Sequence, residues 1–462
     1  MQPHQTPIMN SLAFIMFVWV STISAIWIVL ALYRIGDKPD VLSFLGHFDG
    51  KLLIAGVIVL LCSSVMATWH WLSLRRNGRR PLRLVLIGHA LPLILTITIL
   101  EVLLRLLATE TPVGTMLWGK RLAPRSLEVL ADNSRLNKML SYDQTLGWIV
   151  KPNLSNSDGL YFTSVKGMRT PKAGSQFNAG NVTCRIALVG DSHTFGTELK
   201  LEDTWGYFLQ SYMPECQVLN FGVEGYSVGQ MYLRYLRDVL PLHPDIVILA
   251  LSSDSAGRTM SVYGLNKLNG IPWAQPRFLL TNDGLSPINQ PLPRLEEIVQ
   301  AKWISDLPYI DYDWFFFPGT WEVQRWRYFY NSYLFRLFLT RYPSWRSQQI
   351  GDSTEILNHA LLRTFIQAVE SDNSIPLVLY LPDKTDEKNL GIETPSLKVL
   401  RSSGVDYLDL RPCLNQVTAE DRFIPRGAHY SRRGSETIAA CVEGRVSLVR
   451  KQVKHIKRDR PS

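Results

Sequence analysis

Arg185-Ile186-Ala187-Leu188-Val189-Gly190-Asp191-Ser192-His193-Thr194-Phe195-Gly196 is the stretch on which the fold of this 462-residue chain turns. Residues 185–189 form a short β-rich run, the pattern of a strand, and the run stops at a glycine. Ser192 sits three residues beyond the strand, between Gly190 and Gly196, in a turn that leads toward a helix. Such a turn exposes the hydroxyl and points backbone N–H groups at an incoming negative charge. A serine hydroxyl is a poor nucleophile until a base takes its proton and donors await the oxyanion. Alone, Gly-Asp-Ser is a common turn, so the reading depends on what surrounds it.

Outward from this stretch, strand and helix patterns alternate. A helix is expected around 204–213, a strand at 217–221, a helix around 228–240 and a strand at 245–251. After an insertion at about 255–350 come a helix near 355–370, a strand at 376–381, a helix at 395–402, a strand at 407–410 and a last helix around 434–448. This alternation predicts an α/β fold with a flavodoxin-like, doubly wound parallel sheet. In such sheets the ligand site lies at the carboxyl ends of the strands. Gly190–Gly196, Gly222–Gly225 and Ser252–Asp254 all fall at expected strand ends. If the strands beginning after Cys184 and Cys216 are parallel neighbours, these two cysteines lie side by side. A Cys184–Cys216 disulfide is therefore favoured, with Cys413 and Cys441 left as a second pair or as unrelated thiols.

The stretch Ile186-Ala-Leu-Val-Gly-Asp-Ser-His-Thr-Phe-Gly196 resembles the first block of the SGNH/GDSL hydrolase superfamily. Val218-Leu219-Asn220-Phe221-Gly222 resembles its second block. Ser252-Ser253-Asp254 stands where its third block reads Gly-x-Asn-Asp, and Pro425-Arg426-Gly427-Ala428-His429-Tyr430-Ser431 with Gly434 resembles its last. The blocks occur in order over roughly 185–447. Upstream, Asp143-Gln-Thr-Leu-Gly-Trp148 and Gly167-Met168-Arg169 are similar to the lead-in of membrane-anchored bacterial members. The resemblance implies Ser192 as nucleophile, His429 as general base, and an oxyanion hole from Ser192, Gly222 and Ser253, with Gly190, Asp191, Asn220 and Asp254 supporting the motifs. It implies no cofactor and no metal.

Two positions depart from that pattern. Ser253 replaces the asparagine that donates to the oxyanion, and a hydroxyl reaches less far than an amide. Arg426 stands three residues before His429, where the family has the aspartate that orients the base. Asp421 is the tentative substitute, with Glu420 and Asp409 also nearby; otherwise a Ser192–His429 dyad remains. His193 reads as a turn residue shaping the pocket rather than the base. The insertion carries Trp314-Phe315-Phe316-Phe317 and further aromatics from Trp321 to Phe338. It reads as a helical cap, or as an aromatic lid or membrane-resting surface.

The remaining organisation concerns the membrane. Residues 1–33 contain no Asp, Glu, Lys or Arg, and 11–33, 52–72 and 84–100 are long apolar runs. Each is near the roughly 20 residues a helix needs to span a bilayer. Arg75, Arg76, Arg79, Arg80 and Arg83 between the second and third runs place that loop in the cytoplasm. The N-terminus is then cytoplasmic and everything after about residue 107 lies outside, in a bacterium the periplasm or cell exterior. The domains expected are 1–107 with three transmembrane helices, a connector at 108–183, a hydrolase-like domain at 184–450 and a basic tail at 451–462. The net charge of +9 is concentrated in the arginine loop and the C-terminal tail. Nucleic acid is therefore not an expected partner. The expected partners are the bilayer and an ester-bearing substrate of the cell envelope or a small molecule. Three functions fit: an esterase, an O-acyltransferase acting on an envelope polysaccharide, or a binding or assembly protein on a weakened version of the same site.

Overall fold

The computed structural model describes residues 24, 94, 97–111, 114–118, 120–127, 138–175, 182–268, 270–282, 284–317, 319–341, 353–388 and 393–458. The first two apolar runs, apart from Ser24, and the arginine-rich loop lie outside the described residues, as does most of the third run before residue 97. Among the described residues no helix is long and apolar enough to cross a membrane. The chain forms two compact units. One comprises Met1–Ala131, Ala301–Asp306 and Phe317–Ser347, the other Asp132–Gln300, Leu307–Phe316 and Gln348–Ser462. The expected insertion at 255–350 is thus divided between the units, and residues 132–183 join the hydrolase-like one.

The second unit is built on five parallel strands: β1 (Cys184–Gly190), β2 (Cys216–Asn220), β3 (Ile246–Ser252), β4 (Ile375–Leu381) and β5 (Tyr407–Asp409). Their spatial order is β5-β4-β3-β1-β2, the flavodoxin-like 2-1-3-4-5 arrangement. Every residue of β3 is buried, which is why it reads as an unbroken apolar run: a parallel sheet is covered on both faces. Ile186, Leu188, Ile248, Leu379 and Leu381 share a buried cluster with Trp205, Leu209, Ile438, Val442 and Val446. The last five come from α1 (Trp205–Tyr212) and α5 (Arg432–Arg458). Three further helices are α2 (Val228–Arg234), α3 (Thr354–Ser371) and α4 (Pro395–Ser403).

Helix starts follow their capping residues. Thr204 accepts from the Tyr207 N–H, Ser227 and Gln230 form a capping box on α2, and Ser353 caps α3. Pro395 opens α4 and Gly404, in the left-handed region, closes it.

Cys184 and Cys216 are register partners on β1 and β2 and form a disulfide with Cα atoms 4.5 Å apart. Cys413, in the short helix after β5, is bonded to Cys441 on α5 with Cα atoms 6.5 Å apart.

In the first unit, residues 97–107 are helical. Leu104 packs with Leu117, Leu122 and Leu337, while Ile97, Ile99, Val102, Leu103, Leu106 and Leu107 are exposed.

Denatured protein should therefore resist alkylation at Cys184, Cys216, Cys413 and Cys441 until a reductant is added, as read by mass spectrometry. Cys216→Ala opens a loop of 32 residues and should lower stability by about 3 kcal/mol in denaturant titration. Free thiols at all four positions in freshly isolated protein would refute both pairings.

Candidate active site

The nucleophile turn follows directly from the end of β1. Asp191 caps the one-turn helix Ser192–Phe195, accepting from the His193 N–H at 3.1 Å. The other oxygen of its buried carboxylate accepts from Ser252 Oγ, Ser255 Oγ and Arg258 Nη2. Burial alone would raise this carboxyl, but Arg258, His193 and the Ser252 hydrogen bond hold it below the usual range. The ends of β1 and β3 are thereby tied together beneath Ser192. Gly190 is required where it stands, because a Cβ there would lie 2.1 Å from Thr194 Oγ1.

Opposite the turn, an isolated bridge between Phe423 and Tyr430 and the Ile424 N–H donated to His429 O at 2.9 Å make 424–429 a tight loop. Lys384 Nζ donates to the carbonyls of Ile424 and Gly427, pinning this loop beyond the end of β4. His429 Nε2 and Ser192 Oγ are 2.8 Å apart. On the other side of the ring, Nδ1 is 2.8 Å from Glu198 Oε2. A carboxylate only accepts, so Nδ1 carries the proton there and Nε2 is left to accept from the Ser192 hydroxyl.

Glu198, and not Asp421, is the carboxylate that meets the His429 ring. The Phe423–Tyr430 bridge leaves Asp421 outside the loop. Its carboxylate accepts from Thr418 Oγ1 at 3.1 Å and lies 3.7 Å from Arg433 Nη1. Asp409 is engaged by Arg411, and Glu420 is exposed. Glu198 Oε2 accepts from the Ala428 and His429 N–H groups as well as from the ring. Burial would raise its carboxyl, but these hydrogen bonds and His429 hold it below the ordinary glutamate value. Gly427 makes the approach feasible, since a Cβ there would lie 2.8 Å from Glu198 Oε2. Arg426, where the family's aspartate stands, is exposed and adopts a left-handed backbone with φ 63°. The usable signal in the sequence was an acidic residue six positions past the nucleophile, on the same turn. Reading outward from the histidine alone does not find it.

The oxyanion donors differ from expectation. Ser253 Oγ donates to Asp383 Oδ2 beyond β4, so its single proton is committed and not offered to the cleft. The Gly222 N–H donates to Asn220 Oδ1 at 2.9 Å, and Asn220 Nδ2 donates to Thr194 O at 2.7 Å. Asn220 thus clips the second block to the nucleophile turn. Gly222 packs so closely on that turn that a Cβ would meet Phe195 N at 2.3 Å. Among the described residues the Ser192 N–H donates to no protein acceptor. Asp254 pairs with Lys267 at 3.1 Å rather than with the reacting groups.

His193 is buried, with its ring centroid 4.8 Å from that of His429 and 5.1 Å from that of Tyr430. Among the described residues its Nδ1 is buried without a hydrogen-bond partner. Burial first, and then the neighbouring His429, push this imidazole down to about 4. It stays neutral beside His429 near pH 7.

Glu198→Gln should lower kcat by about 10³-fold or more, whereas Asp421→Asn should stay within about twofold of the parent, measured on a chromogenic ester. Equal losses in both variants would contradict the assignment. For His193, the folded value lies below the ordinary histidine value of about 6.5, so the unfolded chain takes up this proton first as the pH falls. Its contribution to stability is intact above about pH 6.5 and is lost as the pH drops toward 4. His193→Gln should flatten the decline of Tm over that window; an unchanged slope would rule this out.

No family model matches the chain, and no curated protein matches it. Solved structures do. A lipase/acylhydrolase from Enterococcus faecalis is 13% identical, over 57% of this chain and 97% of that one, with a TM-score of 0.30. A member of the lipolytic protein G-D-S-L family from Veillonella parvula is 11% identical, over 55% and 94%, with a TM-score of 0.29. The psychrotrophic esterase EstA from Pseudoalteromonas sp. is 11% identical, over 58% and 98%, also at 0.29. The activities in those names are theirs. In this chain itself, the five-strand order is flavodoxin-like, and Ser192 and His429, from the first and last of the motif blocks, are brought into contact.

Proposed function

We propose that this protein is an esterase of the SGNH/GDSL type, forming and breaking an acyl-enzyme on Ser192. The observation that carries this reading is the unbroken relay Ser192 Oγ–His429–Glu198, with both contacts at 2.8 Å. His429 Nε2 takes the hydroxyl proton as Ser192 Oγ attacks the ester carbonyl, and Glu198 stabilises the imidazolium that results. The Ser192 N–H is the donor in place for the oxyanion. The Gly222 N–H joins it by sharing its bond to Asn220. Collapse expels the alcohol with the proton from His429, and an acceptor hydroxyl then attacks the acyl-enzyme with His429 again as base. Water as acceptor gives hydrolysis; a sugar hydroxyl gives transfer. The alternative of a weakened binding protein drew on Ser253 and Arg426, and Glu198 removes the second of these motives.

The same proposal puts the site outside the cytoplasm, tethered by the three apolar runs near the N-terminus. Two disulfides fit an oxidising compartment. The exposed apolar side chains of the helical residues 97–107 fit the end of a membrane-embedded segment. Tyr328 and Phe329 of the same unit are exposed too, as an interfacial aromatic surface requires.

Detergent-solubilised full-length protein should hydrolyse a short-chain p-nitrophenyl ester and be labelled by a fluorophosphonate. Ser192→Ala should abolish both. Turnover that survives Ser192→Ala would sink the reading, and binding of an acylated glycan without labelling would favour the non-catalytic alternative. Release of free acid as against an acylated sugar, followed with a saccharide present, separates hydrolysis from transfer. A reporter fused after Ser462 that is active only outside the cytoplasm should be active; one active only inside would overturn the orientation.

A further inference from the structure

Arg169 is an unusual cation. Its side chain is buried, at 5% exposure, yet among the described residues it makes no ion pair. The guanidinium lies over the adjoining rings of Tyr161 and Phe195, 4.6 and 4.7 Å from their centroids, which are themselves 5.6 Å apart. Nη1 donates to Phe195 O at 3.4 Å and Gly196 O at 3.2 Å. Nη2 donates to Leu199 O at 2.6 Å and Leu160 O at 3.1 Å. Three of these four carbonyls belong to residues 195–199, the short loop that joins the nucleophile turn to Glu198. Burial pulls the group down to about 10, which leaves it charged at neutral pH. A buried charge that lacks a carboxylate partner is costly to keep, and here its hydrogen bonds are spent mainly on one loop.

That loop has a reason to need holding. Glu198 adopts φ 70°, in the left-handed region that non-glycine residues avoid. Its N–H donates to the Tyr161 hydroxyl at 2.8 Å. The Arg169 N–H itself donates to Asn220 O at 3.2 Å. One residue therefore fixes the 195–199 loop relative to the second block, and Tyr161 secures Glu198 from the same side. We propose that Arg169, with Tyr161, is a positioning residue for the catalytic acid. The pair holds the 195–199 loop in the strained turn that keeps the Glu198 carboxylate on His429 Nδ1. Neither residue touches the reacting atoms. The proposal rests on the Ser192–His429–Glu198 relay argued above.

A misplacement of about 1 Å in a catalytic group can cost about 10²-fold, so the effect should appear in kcat and vanish where Glu198 no longer acts. The test uses the full-length protein on a p-nitrophenyl ester, with fluorophosphonate labelling rates as a second readout. The variants are Tyr161→Phe, Arg169→Lys, Glu198→Gln and the two doubles with Glu198→Gln. Tyr161→Phe keeps the ring against Phe195 and Arg169 and removes only the hydroxyl, so it reports even if Arg169→Lys fails to fold. Either single variant should lower kcat and the labelling rate by roughly tenfold or more with KM within about twofold, and neither should add a further loss in the Glu198→Gln background. Additive losses in the doubles, or a lowered Tm with kcat intact in both single variants, would overturn the positioning role. Turnover that persists in Ser192→Ala would instead overturn the underlying esterase reading, so the two failures are distinguishable.

Discussion

The buried carboxylate of Asp191 is the interaction on which the hydrolase-like unit depends. It caps the turn that presents Ser192, and its second oxygen gathers the hydroxyls of Ser252 and Ser255 and the guanidinium of Arg258. Arg258 in turn donates through Nε to Tyr226 O, beyond the second block, so one ion pair reaches three strand ends at once. Truncating one partner of such a pair leaves the other charge buried and unmatched, a loss of about 3–5 kcal/mol. The familiar Gly-Asp-Ser signature is therefore as much a device for joining β1 to β3 as a carrier of the nucleophile.

Close packing enforces the rest of the geometry. Gly190, Gly222 and Gly427 each stand where a Cβ would meet a neighbour inside 3 Å. These absent side chains let the second block and the histidine loop approach the nucleophile turn. The site is thus assembled by backbone proximity, and its side chains fill fixed positions. That makes the relocation of the acid intelligible. What His429 needs is an acceptor at Nδ1, and the chain position supplying it is free so long as the oxygen arrives there. Arg426 stands on the histidine loop where the resemblance places an aspartate, and Glu198 reaches His429 Nδ1 from the loop that follows Ser192.

Ser253 illustrates the converse. The resemblance assigns this position to oxyanion stabilisation, but a one-carbon hydroxyl beside Asp383 finds a charged acceptor within reach and donates there. A longer amide would have had a second donor to spare. Residue type, local reach and the nearest acceptor decide the role together, and only the first is visible in a sequence.

Much of the architecture was legible before any coordinates. The central strand was readable because a doubly covered parallel strand reads as a nearly continuous apolar run, as over residues 246–251. The helix starts expected near 204, 228 and 355 lie beside Thr204, Ser227 and Ser353, which cap them in the structure. The pairing of Cys184 with Cys216 followed from placing their two strands side by side. Ser192 and His429 were marked by glycine-framed motifs whose local geometry is set within a few residues. The sequence by itself thus determined the strands, the approximate positions of the helices and the Ser192 and His429 motifs that the fold brings together. Tertiary structure alone decided which acid completes them, because Glu198 and His429 are 231 residues apart and the Phe423–Tyr430 bridge turns the nearer Asp421 away. It also decided the partners of Ser253 and Arg169. A hydrogen bond of about 3 Å between distant segments leaves no periodicity or spacing in the chain to be read.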